Sequence, residues 1–242
     1  FTVNMHGLRI NVDRLERLGN SYVGKHDVDF ARTTDIWFRG IELVTGNDGG
    51  VFLADWSDIG ECHENDGVHR ATGRIYKITY GKPEKPTVAD VAKLATPELV
   101  KLLTHKNEWY VRAARRNLQE RAEKAADILL RVSPENKTDE ASKLRTQLQA
   151  QGLTRNNFQL DLETIHKSMA DLVKQSDNPQ HQLRAIWALA SANGAQADFL
   201  RDLLKNNNEH VRVWAIRLLA EQGNSEEVTL KEFTRLAATD PS

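Results

Sequence analysis

The sequence contains a single cysteine, Cys62, and this scarcity removes several classes of site. One thiol cannot form an internal disulfide, and it cannot supply the sulfur ligands of a cysteine-rich zinc site. The motif Cys-x-x-Cys-His is missing as well, which excludes covalently attached haem. Because a chain without disulfides suits both the cytosol and many periplasmic proteins, the cysteine content leaves the compartment open.

Long apolar runs and an excess of charge of one sign are also missing. No apolar stretch approaches the roughly 20 residues that span a bilayer. The 33 basic residues are balanced by 34 acidic residues, which gives a formal net charge of -1, whereas dedicated nucleic-acid-binding domains are usually strongly basic. We therefore expect neither a membrane span nor a nucleic-acid partner in this chain.

The first residues resemble a strand rather than a leader. The sequence begins with Phe1 and reads FTVNMHGLRINV, without the basic segment and apolar segment of a signal peptide. We expect that the chain is a piece of a longer protein and that its true N-terminus lies further upstream.

Residues 1–81 are rich in glycine, aromatic and β-branched residues, and their pattern predicts strands. The strand-like stretches are residues 8–12, 41–46, 50–56 and 73–81. The second and third of these are joined by NDG at residues 47–49, which predicts a tight hairpin because Asn, Asp and Gly tolerate positive φ.

Beyond a polar linker with two prolines, KPEKP at residues 82–86, the pattern becomes helical and remains so over residues 87–242. Capping signals are expected at Thr87 with Asp90, at Thr96 and at Ser133. Similar segments follow polar turns, and each contains an arginine: Arg112, Arg184 and Arg212. Repetition of this kind is typical of stacked helix pairs, so we predict HEAT-like repeats with equivalent arginines. The fold class is therefore α+β with several domains.

The stretches WFRGIELVTGNDGGVFLADW (residues 37–56) and GRIYKITYG (residues 73–81) resemble the last blades of the large membrane-bound dehydrogenase proteins of planctomycete-type bacteria. Members of that family have a β-propeller similar to that of quinoprotein glucose or sorbosone dehydrogenases, followed by HEAT-like helices. The resemblance implies that residues 1–81 are partial propeller blades and that the chain is a C-terminal fragment. It also implies a periplasmic or other extracytoplasmic location.

A run of about 17 residues, SDIGECHENDGVHRATG at 57–73, follows the Ala-Asp-Trp strand, and three interpretations of it remain open. In the first interpretation the run binds a metal ion. His63 and His69 with Cys62 or Glu61 would bind zinc or copper, or the local carboxylates would bind calcium. A catalytic reading uses a histidine as general base. In the third reading, internal hydrogen bonds order the loop and no ligand binds.

The catalytic reading names five residues, which are His63, His69, Arg70, Arg39 and Asp55. A histidine would accept the alcohol proton, and an arginine would bind a carboxylate of the cofactor with two hydrogen bonds. By resemblance, that cofactor is pyrroloquinoline quinone with calcium, and the reaction is oxidation of a sugar or another alcohol. The helical repeats would dock a protein partner or a neighbouring redox domain.

The alternative function is a non-catalytic scaffold, in which propeller and HEAT surfaces bind a partner protein. No complete active site is present in these 242 residues, which favours this alternative for the chain itself.

Overall fold

A computed structural model describes residues 1–19, 21–56, 72–83, 85–223 and 226–242. The chain divides into two compact units, Phe1–Thr87 and Val88–Ser242. We call them the β unit and the helical unit and describe each by itself. The boundary between them directly follows the proline-containing segment 82–86.

The described strands of the β unit are β1 Thr2–Asn4, β2 Arg9–Asn11, β3 Asp13–Leu18, β4 Ser21–His26, β5 Ala31–Arg32, β6 Gly40–Thr45, β7 Val51–Asp55 and β8 Arg74–Ile78. They form three antiparallel sheets with the orders β1-β2-β5, β3-β4 and β6-β7-β8. Strands β3 and β4 are not among the strands predicted from the sequence pattern. All their residues are exposed, so this ribbon carries no alternation of buried and exposed positions.

The predicted hairpin is present and joins β6 to β7, with Val44 opposite Phe52 and Thr45 opposite Val51. In its turn, Gly49 has φ +80°, a conformation that favours glycine. The amide of Gly46 donates to the carbonyl of Gly50 at 2.7 Å. Strand β8 then pairs with β7, so the three strands predicted around this turn form one sheet.

The buried core of the β unit is small and consists of Ile10, Phe38 and Leu53. Strand β1 approaches β6 closely at Gly40, where an added Cβ would lie 2.2 Å from Cγ1 of Val3. A side chain at this position would clash, so glycine sets the spacing between the two sheets.

The helices are α1 Thr96–Leu102, α2 Glu108–Arg131, α3 Asp139–Ala150, α4 Arg155–Gln175, α5 Pro179–Ser191, α6 Ala197–Leu203, α7 Glu209–Glu221 and α8 Glu227–Thr239. Asparagine side chains cap the second helices of the pairs, as Asn107 does for α2 and Asn208 for α7. Such caps satisfy amides of the first turn that have no partner within the helix.

Three of the predicted caps differ in the structure. Asp90 caps a short 3-10 turn at Val91–Lys93 rather than reaching back to Thr87. The N-cap of α1 is Ala95, one residue before the predicted cap Thr96. The Glu98 carboxylate accepts the amide of Ala95. Ser133 lies in the turn between α2 and α3, and the next cap is Thr138.

The helices pack as pairs, α1 with α2, α4 with α5, and α6 with α7, around one buried cluster. Its largest fully buried side chains include Tyr110, Leu118, Met169, Ile186 and Leu219. Helix α3 lies between the first and second pairs in the chain. Its Arg145 donates to the carbonyls of Val132 and Ser133, which ties it to the end of α2.

The expected mixture of strands and helices is confirmed, with the strands in the β unit and the helices in the helical unit. Among the described residues, the sheets have two or three strands, and they form neither a closed barrel nor a propeller. The prediction of three equivalent arginines is wrong for Arg112. Arg184 and Arg212 are buried, whereas Arg112 is exposed on α2.

Candidate functional site

Three members of the predicted catalytic set, His63, His69 and Arg70, lie outside the described residues, as do Cys62 and Glu61. Their roles in the catalytic or metal reading therefore stay predictions. The other two members, Arg39 and Asp55, are described and belong to the β unit.

Arg39 and Asp55 are brought together at the start of β6 and the end of β7. The carboxylate Oδ1 of Asp55 accepts the backbone amide of Arg39 at 2.8 Å. The guanidinium of Arg39 donates to the carbonyls of Ile36 and Phe38 at 3.0 and 2.8 Å. Both residues are buried, so the contacts seen here hold backbone segments together.

Arg74 at the start of β8 adds a second charge near this brace. Its Nη1 lies 3.2 Å from Oδ2 of Asp35 and 4.0 Å from Oδ2 of Asp55. The hydrogen bond to the Tyr76 hydroxyl is the largest of the contacts that raise the pKa of Arg74, and Asp35 contributes as well. The exposed part of this cluster is thus an ion pair between Arg74 and Asp35.

In the helical unit, two buried arginines brace turns between helices. Arg184 of α5 donates to the carbonyls of Leu103 and His105 and forms an ion pair with Glu108. This contact ties the second helix pair to the turn of the first pair. A buried guanidinium needs such partners because an unpaired charge in the interior is costly.

Arg212 of α7 is the second brace. It donates through Nη1 to the carbonyls of Asn206 and Asn207 in its own turn. Its Nε and Nη2 form two parallel bonds, each 2.6 Å long, with the carboxylate of Asp240 after α8. Bidentate pairs of this kind combine charge with fixed geometry.

Trp187 of α5 and Trp214 of α7 form an edge-to-face pair with ring centroids 5.3 Å apart. The guanidinium of Arg217 lies 4.8 Å from the centroid of the Trp214 ring. Trp109 packs against the buried core, but Trp187 and Trp214 belong neither to that core nor to the partly buried residues packed against it. We call Trp187, Trp214 and Arg217 the tryptophan face.

The repeat pattern carries a signal for this surface, because Trp187 and Trp214 are 27 residues apart, close to the 28 that separate Arg184 from Arg212. Side chains at one repeat spacing come to lie side by side on neighbouring helices.

Within the ranges that the structure describes, no three His, Cys, Asp or Glu side chains are grouped closely enough to hold a metal ion. Of the helices described, none is long and apolar enough to cross a membrane.

Comparison with known families gives one match. A family model described as HEAT repeats matches residues 167–242, which include the C-terminal part of α4 and all of α5 to α8. No curated protein and no solved structure matches the chain. This part of the helical unit is therefore similar to HEAT repeats, as the repeated helix pattern predicted.

Proposed function

We propose that the helical unit is a HEAT-like scaffold that binds a protein partner through the second helices of its pairs. The observation that carries the proposal is the tryptophan face, where Trp187, Trp214 and Arg217 lie beside one another outside the core. Tryptophan and arginine are the residues most enriched among energetically dominant contacts of protein interfaces.

The aromatic pair has the character of a contact surface. The indole Nε1 of Trp187 is buried and has no hydrogen-bond acceptor within the described ranges. A buried tryptophan N–H usually donates a hydrogen bond. The Trp187 ring therefore differs from a tryptophan that is fixed in place by the polar groups of its own fold. Two large half-buried rings that do not pack on the core leave apolar area for another molecule to cover.

Helix α2 of the same unit carries two exposed cations, Arg112 and Arg115. Arg112 and Arg115 follow Glu108 by four and seven residues, so they lie on the same stripe of the helix. Glu108 marks the side that faces α5 because it is paired with Arg184. Arg112 and Arg115 are exposed and form no ion pair with other described residues. A partner with carboxylates around an apolar side chain would complement both features.

Site-specific photo-crosslinking in cells tests the proposal. A photoreactive phenylalanine analogue is placed at Val213 of α7, which is 53% exposed beside Trp214, or at Leu160 of α4, which is 51% exposed. We expect a discrete adduct from Val213 and none of that mass from Leu160. The adduct should be lost when Trp214→Ala is added.

Because Val213 and Leu160 are about equally exposed, a difference between their adducts reflects contact at one site rather than random encounters. Circular dichroism of the Trp214→Ala variant establishes that the helices are retained. Equal adducts from both positions, or an adduct that Trp214→Ala leaves unchanged, would refute binding through the tryptophan face.

A second candidate function is the one that the family resemblance implies, oxidation of a sugar or alcohol with pyrroloquinoline quinone and calcium. The residues that carry this resemblance include the hairpin of β6 and β7, whose turn has the predicted geometry. Of the residues assigned to this site, Arg39 donates to the carbonyls of Ile36 and Phe38, and Oδ1 of Asp55 accepts the amide of Arg39. Their part in cofactor binding stays a prediction.

Equilibrium dialysis of the chain with the quinone and calcium tests this second function, with dye reduction by glucose as the activity readout. Bound quinone and sugar-dependent reduction that fall together in the His63→Ala variant would support it. Absence of quinone binding to the folded chain would remove it.

A further inference from the structure

A cleft in the β unit combines an apolar floor with a cationic rim. It lies between the sheet of β2 and β5 and the sheet of β7 and β8, and its volume is about 290 Å³. We call it the sheet cleft. Its floor is Ile10, Phe38 and Leu53, and its charged lining residues are Arg9, Arg32 and Lys77.

The floor is the buried core of the unit itself, since these three side chains are 3 to 7% exposed. Aliphatic and aromatic groups from both sheets therefore meet at the base of the cleft. The apolar lining that remains accessible above this floor includes Leu8, Tyr76 and Ile78. It favours a flat apolar body, because contact removes apolar area on both partners from water. The volume is about twice that of the roughly 150 Å³ cavity that holds a benzene molecule in an engineered protein.

The charges around the cleft do not balance. Arg32 donates through Nε to Oδ2 of Asp29 at 2.9 Å, and Nη1 of Arg9 lies 3.4 Å from the same oxygen. One carboxylate thus serves two guanidinium groups, which leaves one positive charge. His26 faces the other oxygen of Asp29 at 3.4 Å and adds no negative charge in either protonation state.

The third cation is compensated separately. Lys77 forms an ion pair with Asp48 of the β6–β7 turn and lies 5.1 Å from the centroid of the Phe52 ring. No carboxylate is among the described residues that line the cleft. Nε of Arg9 is buried without an acceptor in the described part of the chain, so its guanidinium is incompletely paired.

From this geometry we infer that the sheet cleft binds a small organic monoanion with a flat apolar body, of the class of bicyclic aromatic carboxylates. The body lies against Leu8, Tyr76 and Ile78 above the buried floor, and the carboxylate faces Arg9 and Arg32. Arginine suits this role because its planar fork matches a carboxylate in two bonds.

Calorimetric titration of the full chain with 2-naphthoate and with 2-naphthylmethanol, at one ionic strength, tests the inference. The two probes share the apolar body and differ in charge. We expect naphthoate to bind at least about tenfold more tightly, as one well-placed ion pair provides. Equal affinities would overturn the inference without any variant being needed.

Two arginine variants locate the charge effect. Arg32 is 67% exposed, so Arg32→Gln should leave the fold intact while removing the excess charge. It should weaken naphthoate binding about tenfold and leave naphthylmethanol unchanged. The matched control is Arg14→Gln, whose guanidinium is 71% exposed and paired with Asp27, and it should alter neither affinity.

A loss of naphthoate binding in Arg14→Gln equal to that in Arg32→Gln would mean that overall charge alone attracts the probe, and it would refute the cleft. Nuclear Overhauser contacts provide a second readout in the unaltered chain. Contacts from the naphthoate ring to the methyl groups of Ile10 and Ile78 support the site. Contacts only to Leu15 and Val23 of the exposed ribbon would overturn it.

Discussion

Arg212 shows how the helical unit accommodates a buried cation. Its three side-chain nitrogen atoms donate hydrogen bonds to two turn carbonyls and to the carboxylate of Asp240. The hydrogen bond from Arg212, followed by that from the Ser242 amide, lowers the pKa of Asp240. The same contact raises the pKa of Arg212, so the pair stays charged over the physiological range.

The lowered pKa of Asp240 makes a prediction about acid stability. A carboxyl group that binds its proton less readily when folded stabilises the protein fully above its unfolded pKa, about 3.9. That contribution is lost as the pH falls through the lower folded value. We expect the free energy of unfolding to decrease more steeply between about pH 5 and pH 2 in the native chain than in Asp240→Asn.

Urea unfolding followed by circular dichroism at a series of pH values measures this difference. Asp177→Asn is the control, because Asp177 is exposed and forms no ion pair with the residues described. Parallel pH profiles for the native chain and Asp240→Asn would contradict the role assigned to the pair.

Among the elements, the hairpin of β6 and β7 depends most directly on local chemistry. Gly49 has a positive φ, and an added Cβ would meet no described heavy atom within 4 Å. Any cost of substitution there is therefore backbone strain rather than a clash. The Asp48 carboxylate supports the turn by accepting the amide of Gly50 at 3.1 Å and by pairing with Lys77.

We predict that Gly49→Val destabilises this hairpin by roughly 1–2 kcal/mol, the usual cost of forcing a side chain into left-handed backbone geometry. Gly49→Asn should cost less, since asparagine tolerates this conformation. Amide hydrogen exchange of β7 measures the difference locally. Equal exchange rates in the two variants would show that φ at this position does not limit stability.

The whole molecule is divided between a well-packed unit and a sparsely packed one. The buried core cluster of the helical unit draws on the helices of all three pairs, whereas that of the β unit has three residues. Large apolar side chains of β6 and β8, including Ile41, Val44 and Ile75, are exposed. Stability follows buried apolar area, so the two units should differ strongly.

We predict that residues 88–242 produced alone unfold cooperatively with a helical circular dichroism spectrum. Residues 1–87 produced alone should unfold without a sharp transition, because the small core formed by their described residues does not offset the entropy of ordering the chain. Thermal unfolding of each segment measures this. A cooperative transition for 1–87, or none for 88–242, would contradict the expectation.

Features that depend on near neighbours along the chain could be predicted from the residues alone. The alternation before residue 81 and the helical spacing after residue 87 were enough to separate strands from helices, because each period belongs to a backbone geometry. The Asn-Asp-Gly stretch predicted the turn of β6 and β7. The exposed ribbon of β3 and β4 was missed because neither face is buried, so no alternation marks it.

Residues with similar sequence patterns can have different roles, and these roles depend on tertiary packing. Arg112, Arg184 and Arg212 share a sequence pattern, but burial depends on which turn packs against each arginine. Asp55 meets the amide of Arg39 only because β6 and β7 pair. The tryptophan face and the sheet cleft likewise arise from side chains distant in sequence, and such contacts are set by packing rather than by local pattern.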